Sequence, residues 1–546
     1  MQLVAYGAQD VYLTGSPQIT FFKIIYRRHT NFSVEPIPQT FTGNSDFGRT
    51  VTCTINRNGD LITNMYVLIN LNSVPSVANN RWGFIRRLGF AIVQHYKIEI
   101  GGSKIDEQYG DWLNIWWELS HKVGQERGLA RMIGDVPELT TIDDMGKPAY
   151  TLYVPLQFWF NRHNGLALPL IALQYHDVRI TIDFRQASQC VNKGSDFAGE
   201  PNVSMSDASL VIDYVYLDSE ERKRFAQASH EYLIEQLQFT GSETLTSTNN
   251  KYRLNFNHPC KFLVWAPHLE KYGTRTDYLV YDNNWEAARE KFAKLLWLST
   301  RFNLTKTNGV WQINLNDDFV SQQEVIGNSE VLGSPEANKL VVAQLIFSTP
   351  LISTAVSAVS IENVVILENY VTMENMSWDI DLLVSTFEVA GTDPVSTTVN
   401  MAQFLRDNGV TIQDQFNYGN YLDGTNNPVS SAKLQLNGSD RFQERDGYYF
   451  NYVQPYQHFS NTPVDGVNVY SFALKPEDHQ PSGTCNFSRI DNATLQVKVG
   501  LDNQPADNNY TATYIGANSN SLLNIYAFNY NVLRVMSGMA GTAYSN

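Results

Sequence analysis

The chain has 546 residues, 12% of them aromatic, and carries 40 Lys+Arg against 55 Asp+Glu for a formal net charge of −15. That length exceeds one small domain and fits two all-β units of about 200–250 residues with insertions. The negative balance excludes a general nucleic-acid ligand, which needs clustered positive charge, and the four widely spaced cysteines (Cys53, Cys190, Cys260, Cys485) exclude Cys-x-x-Cys zinc and dithiol motifs.

MQLVAYGAQDVYLTG at the start has neither a basic n-region nor a continuous apolar run, so no signal peptide is expected. No stretch of about 18 apolar residues predicts an ordinary transmembrane helix. Few cysteines suit a reducing compartment, and cytosolic synthesis and assembly are expected. Residues 1–30 read as an arm. Its basic cluster, Lys23, Arg27, Arg28 and His29, reads as a solvated turn, with an anionic surface as the other reading.

Strand-like runs follow. NFSVEPIPQTF (31–41) has the prolines of an edge or an irregular start. RTVTCTI (49–55) turns Val51, Cys53 and Ile55 to one face, Asn58-Gly59 predicts a hairpin-type turn, and LITNMYVLINL (61–71) leaves it. VQHYKIEI (93–100) ends at Gly101-Gly102. The clearest helix is YGDWLNIWWELSHKV (109–123): Trp112, Ile115, Trp116, Leu119 and Val123 recur at helical spacing, as a face packed on a barrel. YTLYVPLQFWF (150–160), ALPLIAL (167–173), QYHDVRITIDF (174–184) and LVIDYVYL (210–217) complete a first unit, 31–217. DSEERKRFAQASHE (218–231) reads as a helix or linker.

The second unit is 232–546. It opens with YLIEQLQF (232–239), KYRLNF (251–256) and NHPCKFLVWAP (257–267). Residues 268–430 hold polar loops and scattered β-like runs such as KLVVAQLIF (339–347) and ENVVIL (362–367). Regular patterning resumes at KLQLNGSD (433–440) and continues through VNVYSFAL (467–474) and NATLQVKV (492–499) to NIYAFNYNVLRV (524–535). Between these lies the turn QPSGTCNFSRID (480–491), with Asn486 and Ser488 suited to bond their own backbone, and Arg489 and Asp491 on one face if the chain is extended. MSGMAGTAYSN reads as a loose end.

The halves repeat each other in order. KIEIGGS (97–103) parallels KLQLNGS (433–439); QYHDVRITIDF parallels RIDNATLQVKV (489–499); LVIDYVYL parallels NIYAFNYNVL (524–533); RTVTCTINRNGDLI (49–62) parallels YRLNFNHPCKFL (252–263). Two copies of one all-β unit are inferred, with 268–430 inserted between strands of the second, where the first has the short connection 72–92.

Chemistry-bearing constellations do not emerge. Gly101-Gly102-Ser103-Lys104 lacks P-loop spacing, His230-Glu231 is not His-Glu-x-x-His, and Ser537 misses Gly-x-Ser-x-Gly. His163 and His176 flank a strand turn and are read as structural. Asp143-Asp144 sits in a loop without a cleft signal. No catalytic, cofactor-binding or metal-binding residue is assigned, and no enzyme activity or cofactor is expected. Eight Asn-x-Ser/Thr sequons (Asn31, Asn202, Asn303, Asn375, Asn437, Asn486, Asn492, Asn509) are compositional in a chain without a signal peptide.

SFALKPEDHQPSGTCNFSRIDNATL (471–495) closely resembles the major capsid proteins of nucleocytoplasmic large DNA viruses. LVAYGAQDVYLTGSPQITFFKIIYRRHTNF (3–32), NGDLITNMYVLINL (58–71), IEIGGSKIDEQYGDWLNIWWEL (98–119), PLQFWFNRHNGLALPLIALQYHDVRI (155–180) and LNFNHPCKFLVWA (254–266) resemble further segments of that family, in family order. The long insert is the main departure. The resemblance implies an all-β fold of two tandem jelly-roll barrels, each an eight-stranded antiparallel sandwich, with a few short helices and a large insertion in the second. It also implies a homotrimer forming a pseudo-hexameric capsomer in an icosahedral shell. Neighbouring capsomers, minor capsid and penton proteins, an internal membrane reached by the arm, and glycan on outer loops are the implied partners. The alternative is a jelly-roll carbohydrate- or receptor-binding protein of the virion surface, using Trp311, Trp378, Tyr418 and Tyr421 as an aromatic platform; a third is a cupin-like enzyme.

Overall fold

The computed structural model describes residues 7–17, 24, 26–77, 82–122, 124–140, 145–193, 199–245, 247–269, 281, 302–307, 310–315, 359–360, 398–399, 427–499 and 521–544. The first half contributes β1 (Phe32–Thr40), β2 (Thr50–Thr54), β3 (Leu61–Leu71), β4 (Val93–Ile100), β5 (Ser103–Tyr109), β6 (Tyr150–Pro155), β7 (Val178–Phe184) and β8 (Met205–Leu217). They pair antiparallel in two sheets, ordered β1-β8-β3-β6 and β2-β7-β4-β5. The second half contributes β9 (His230–Thr244), β10 (Asn249–Arg253), β11 (Pro259–His268), β12 (Val429–Leu436), β13 (Ser439–Asp440), β14 (Asn468–Ser471), β15 (Ala493–Val499) and β16 (Leu522–Met536). Their sheets run β9-β16-β11-β14 and β10-β15-β12-β13, the same order over again. These are two jelly rolls in tandem.

Period-two burial explains the sandwich. Val51 and Cys53 on β2, Ile98 on β4, and Ile180 and Ile182 on β7 face Met65, Val67, Ile69, Leu210 and Ile212 from the other sheet in one buried cluster. Tyr252, Leu434, Leu495, Val497, Leu263, Trp265 and Ile525 do the same in the second barrel. Each such side chain contributes about 1.5–3 kcal/mol on burial. The repeated turns are also alike: Gly101-Gly102 and Asn437-Gly438 all have positive φ (58°, 81°, 50° and 82°). A two-residue hairpin turn of type I′ requires this, which is why Gly-Gly and Asn-Gly stand there. The four parallel sequence pairs fall on β4 and β12, β7 and β15, β8 and β16, and β2–β3 and β10–β11.

Several local expectations are corrected. Asn58-Gly59 is not a hairpin turn, because β2 and β3 belong to different sheets. Gly59 sits there since a Cβ would come within 2.9 Å of Tyr214 Cβ. The run 150–160 leaves strand conformation after Pro155 and becomes the short helix α2 (Trp159–Arg162) beyond α1 (Gly110–Ser120). ALPLIAL contains only a two-residue strand, Leu168–Pro169, before a 3-10 turn, Leu170–Ala172. Arg489 lies in a 3-10 turn, Phe487–Arg489, so it does not share a strand face with Asp491; Asn486 does accept from the Ser488 amide at 3.1 Å. The C-terminal tail is not loose: Ser537-Gly538, both at positive φ, fold Met539–Thr542 back onto β16. Residues 218–231 hold an exposed helix, α3 (Ser219–Gln227), N-capped by Asp218, and β9 already begins at His230.

Within 268–430 the described strands Phe302–Thr307, Val310–Leu315, Val359–Ser360 and Thr398–Val399 pair with one another in a separate sheet. The runs 339–347 and 362–367 lie outside the described residues.

Candidate assembly interface

The two barrels meet along a packed seam, and α1 is its centre. The helix starts where β5 ends. Gly110 is required at that corner, because a Cβ would lie 2.1 Å from the Val93 carbonyl oxygen and 2.2 Å from that of Phe90. Trp112, Ile115, Trp116 and Leu119 share one face at helical spacing, as the sequence predicts; Val123 lies outside the described residues. The face packs on the other barrel, against Leu237 of β9, Phe262 and Val264 of β11, and Tyr526 and Phe528 of β16. Trp112 and Trp116 stack over Phe528, both with ring centroids 5.7 Å away.

Polar contacts run beside this aromatic stack. The Leu237 amide donates to Asp106 Oδ1 at 3.1 Å, and Gln236 Nε2 donates to the Ile105 carbonyl. Asp106 is 3% exposed, and burial pushes its carboxyl up from 3.8 to about 7, against bonds from Gln108 and Leu237 that favour the anion. Arg162 at the end of α2 crosses to the second barrel: its guanidinium lies 4.6 Å from the Phe528 centroid and pairs with Glu235 Oε2 at 3.2 Å. Lys261 also pairs with Glu235 and donates to the Asp478 carbonyl at 2.8 Å. Burial pulls the Lys261 ammonium down, with Glu235 opposing. The tail hairpin completes the seam: the Tyr175 amide donates to the Gly538 carbonyl at 2.9 Å, and His176 Nδ1 is 3.1 Å from the Ala540 amide nitrogen.

His163 and His176 are not brought together. His163 faces His479, ring centroids 6.2 Å apart, while His176 faces Ala540. Asp143-Asp144, Trp378, Tyr418 and Tyr421 lie outside the described residues, and Trp311 falls on the strand Val310–Leu315. Among the described residues no group of three or more His, Cys, Asp or Glu is placed to hold a metal, and no helix is long and apolar enough to cross a membrane. Sequence reasoning missed Arg162, Glu235 and Lys261. Charge inside largely apolar runs marked Glu235 in LIEQLQF and Lys261 in PCKFLVW; Arg162, in FNRHNG, carried no such signal.

The outer face of β1-β8-β3-β6 carries cross-strand rows Pro38–Val211–Tyr66–Pro155 and Ser209–Leu68–Tyr153, of which Tyr153 is 43% exposed. Between β13 and β14 runs a helical segment, α4, made of Tyr449–Val453 and Gln454–His458. Tyr448, Tyr452 and Tyr456 recur every four residues along it; Tyr448 is 59% and Tyr456 85% exposed.

The family model described as large eukaryotic DNA virus major capsid protein matches residues 221–541, and that of the major capsid protein N-terminus matches 20–218. The chain is 43% identical to capsid protein 1 of Acanthamoeba polyphaga mimivirus and 38% identical to the major capsid protein of Paramecium bursaria Chlorella virus 1, each over 100% of this chain and 99% of the relative. A quasi-atomic model of the PBCV-1 virus capsid superposes with a TM-score of 0.62 at 34% identity, covering 96% of this chain and 100% of that one. The Faustovirus major capsid protein, 13% identical, shares the fold at a TM-score of 0.57, over 97% of this chain and 94% of that one.

Proposed function

Because the chain belongs to the major capsid protein family of large eukaryotic DNA viruses, we propose that it builds their shell as a homotrimer with six barrels arranged as a pseudo-hexagonal capsomer. It is a structural protein of the virion capsid and not an enzyme. One observation carries the trimer reading: two barrels of identical strand order are locked side by side by a buried seam. Three such pairs make a block with six similar sides, and a closed head-to-tail ring terminates itself. Native mass measurement of the purified chain tests this; three chains are expected, and a stable single chain at micromolar concentration overturns it.

The chain divides, in this reading, into an arm (1–30), a first jelly roll (31–217), a linker (218–231) and a second jelly roll (232–546) carrying the insertion 268–430. The insertion joins β11 to β12 and projects from the barrel end on the outer side of the capsomer. Neighbouring capsomers and minor capsid and penton proteins are its partners in the shell. The arm exposes Tyr12, Leu13, Ile24 and Tyr26 beside Arg27, Arg28 and His29, a mixture suited to an anionic membrane beneath the shell. A net charge of −15 opposes direct genome binding. Sequons on outer loops are the sites for any surface glycan, and intact mass of protein from virions tests for it.

A further inference from the structure

The four cysteines are far apart in sequence, and the fold sets two of them opposite each other. Cys485 begins a two-residue strand, Cys485–Asn486, that pairs antiparallel with the start of β11. The register puts Cys260 directly across from Cys485 and Pro259 across from Asn486. Both cysteine side chains turn to the same face of the sheet: Cys260 belongs to the buried core of the second barrel, and Cys485 packs against that core. Opposed residues of an antiparallel pair stand about 4.5–5.5 Å apart at Cα. A disulfide bridges Cα atoms about 4.4–6.8 Å apart, so the pair lies within its reach. Both are free thiols in this structure. Cys53, by contrast, stands opposite Ile180.

The segment from β14 to Cys485 is a loop with both feet on β11. It leaves at Phe472, whose amide donates to the Lys261 carbonyl at 2.8 Å. It returns at Cys485, and just beyond, the Phe487 amide donates to the His258 carbonyl at 3.0 Å. Gly483 lets the two legs approach, since a Cβ there would lie 2.6 Å from the Phe472 carbonyl oxygen. Between its feet the loop reaches the buried ion group of the seam. The Asp478 carbonyl accepts from Lys261, and the His479 carbonyl accepts from the Tyr530 hydroxyl, both at 2.8 Å. The return leg pairs with β11 over two residues, so a covalent tie there would add much to its attachment.

We propose that Cys260 and Cys485 form a thiol–disulfide site: exchange with a small-molecule disulfide of the glutathione class links them across the strands and fastens the loop to β11. The reaction balances in two exchanges. The Cys485 thiol gives up its proton and its sulfur attacks one sulfur of the external disulfide; that S–S bond breaks, and the first small thiol leaves with a proton. The Cys260 thiol then gives up its proton and attacks the Cys485 sulfur, forming the Cys260–Cys485 bond and releasing the second small thiol. The two cysteines are oxidised and the external disulfide is reduced. The order follows from burial: Cys485 is half-buried, whereas Cys260 is fully enclosed. Burial raises both thiols above their ordinary value, and at Cys485 the Arg441 guanidinium opposes it in favour of the thiolate. Exchange on the folded chain is therefore slow and begins at Cys485. In sequence the bond spans residues 268–430, so a chain cut within the insertion stays covalently joined.

The test incubates the full folded chain with glutathione disulfide at mildly alkaline pH, then denatures and alkylates it. Peptide mass mapping without reduction should find the Cys260 and Cys485 peptides joined and their alkylation lost. Cut within the insertion, the oxidised chain should run as one band without reductant and as two with it. Oxidised chain should also unfold at a higher urea concentration than reduced chain, because the cross-link restricts the unfolded ensemble. Cys260→Ala should stop at a glutathione adduct on Cys485, and Cys485→Ala should take up none on Cys260. Wild-type chain that keeps both thiols open to alkylation, or that holds glutathione on Cys485 without passing the bond to Cys260, overturns the site. An adduct on Cys260 in the Cys485→Ala variant overturns the order of attack. None of these readouts requires a trimer, so the site and the trimer reading stand or fall separately.

Discussion

Glu235 shows what a buried charge does at a junction. It faces two cations, Lys261 and Arg162, with its side chain only 4% exposed. Removing its charge as Glu235→Gln strands both cations in the seam and should cost about 3–5 kcal/mol. Lys261→Met leaves Arg162 still paired with Glu235 and should cost distinctly less. Urea unfolding of the two variants checks the order; equal losses would show that the carboxylate is not shared. Asp106 makes a pH statement. Its folded value, about 7, lies above its ordinary 3.8, so the folded chain holds the proton more tightly. The sign follows: this group's contribution is fully present below pH 4, falls as the pH rises toward 7, and is gone above it. The slope in that window approaches about 1.4 kcal/mol per pH unit. Asp106→Asn should flatten the dependence of unfolding free energy on pH between 4 and 7, and an unchanged slope would assign it to other groups.

At the scale of the element, α1 was the easiest helix to read and its partner the hardest. Trp112, Ile115, Trp116 and Leu119 announce a buried stripe by spacing alone. Spacing says nothing about which surface covers the stripe, and the covering residues, Phe262, Tyr526 and Phe528, lie far along the chain. Trp112→Ala should remove about 3–5 kcal/mol and be felt in the second barrel as well as the first. Hydrogen exchange of β16 amides reads this directly; protection loss confined to the first barrel would contradict the shared seam. Gly110→Ala should destabilise comparably, since the added methyl meets two backbone carbonyls that cannot retreat. The tail illustrates the reverse failure. Small polar residues suggested a loose end, but Ser537-Gly538 accept positive φ and turn the strand back. In a two-residue turn, backbone permissiveness outweighs low hydrophobicity.

For the molecule as a whole, the insertion and the barrels are separable in principle. β11 and β12 flank the insertion as β3 and β4 flank residues 72–92, so the second barrel's strand order closes without the insert. Longer loops add only about 0.6 kcal/mol of closure cost per doubling. Replacing 270–428 by a short Gly/Ser linker should therefore leave β9-β16-β11-β14 folded. Tyr281, buried at 1% and 5.0 Å from the His268 ring, joins the α1 cluster and is lost with the insert. Some loss of seam stability should accompany the deletion. Circular dichroism and proteolysis of the shortened chain check both outcomes, and global unfolding would show the insert to be part of the barrel.

The order and type of most strands, the duplication and the family were legible in the sequence. Period-two burial and turn residues are local signals, and each repeat presents them twice. What only the tertiary structure decided is where the halves touch: α1 on the far barrel, Arg162 and Lys261 on one carboxylate, and His176 on the tail hairpin. Those contacts join residues separated by scores of positions. A hydrophobic or charged side chain records in the sequence that it must be covered, but not by what, because coverage is set by the docking of whole sheets after each has formed.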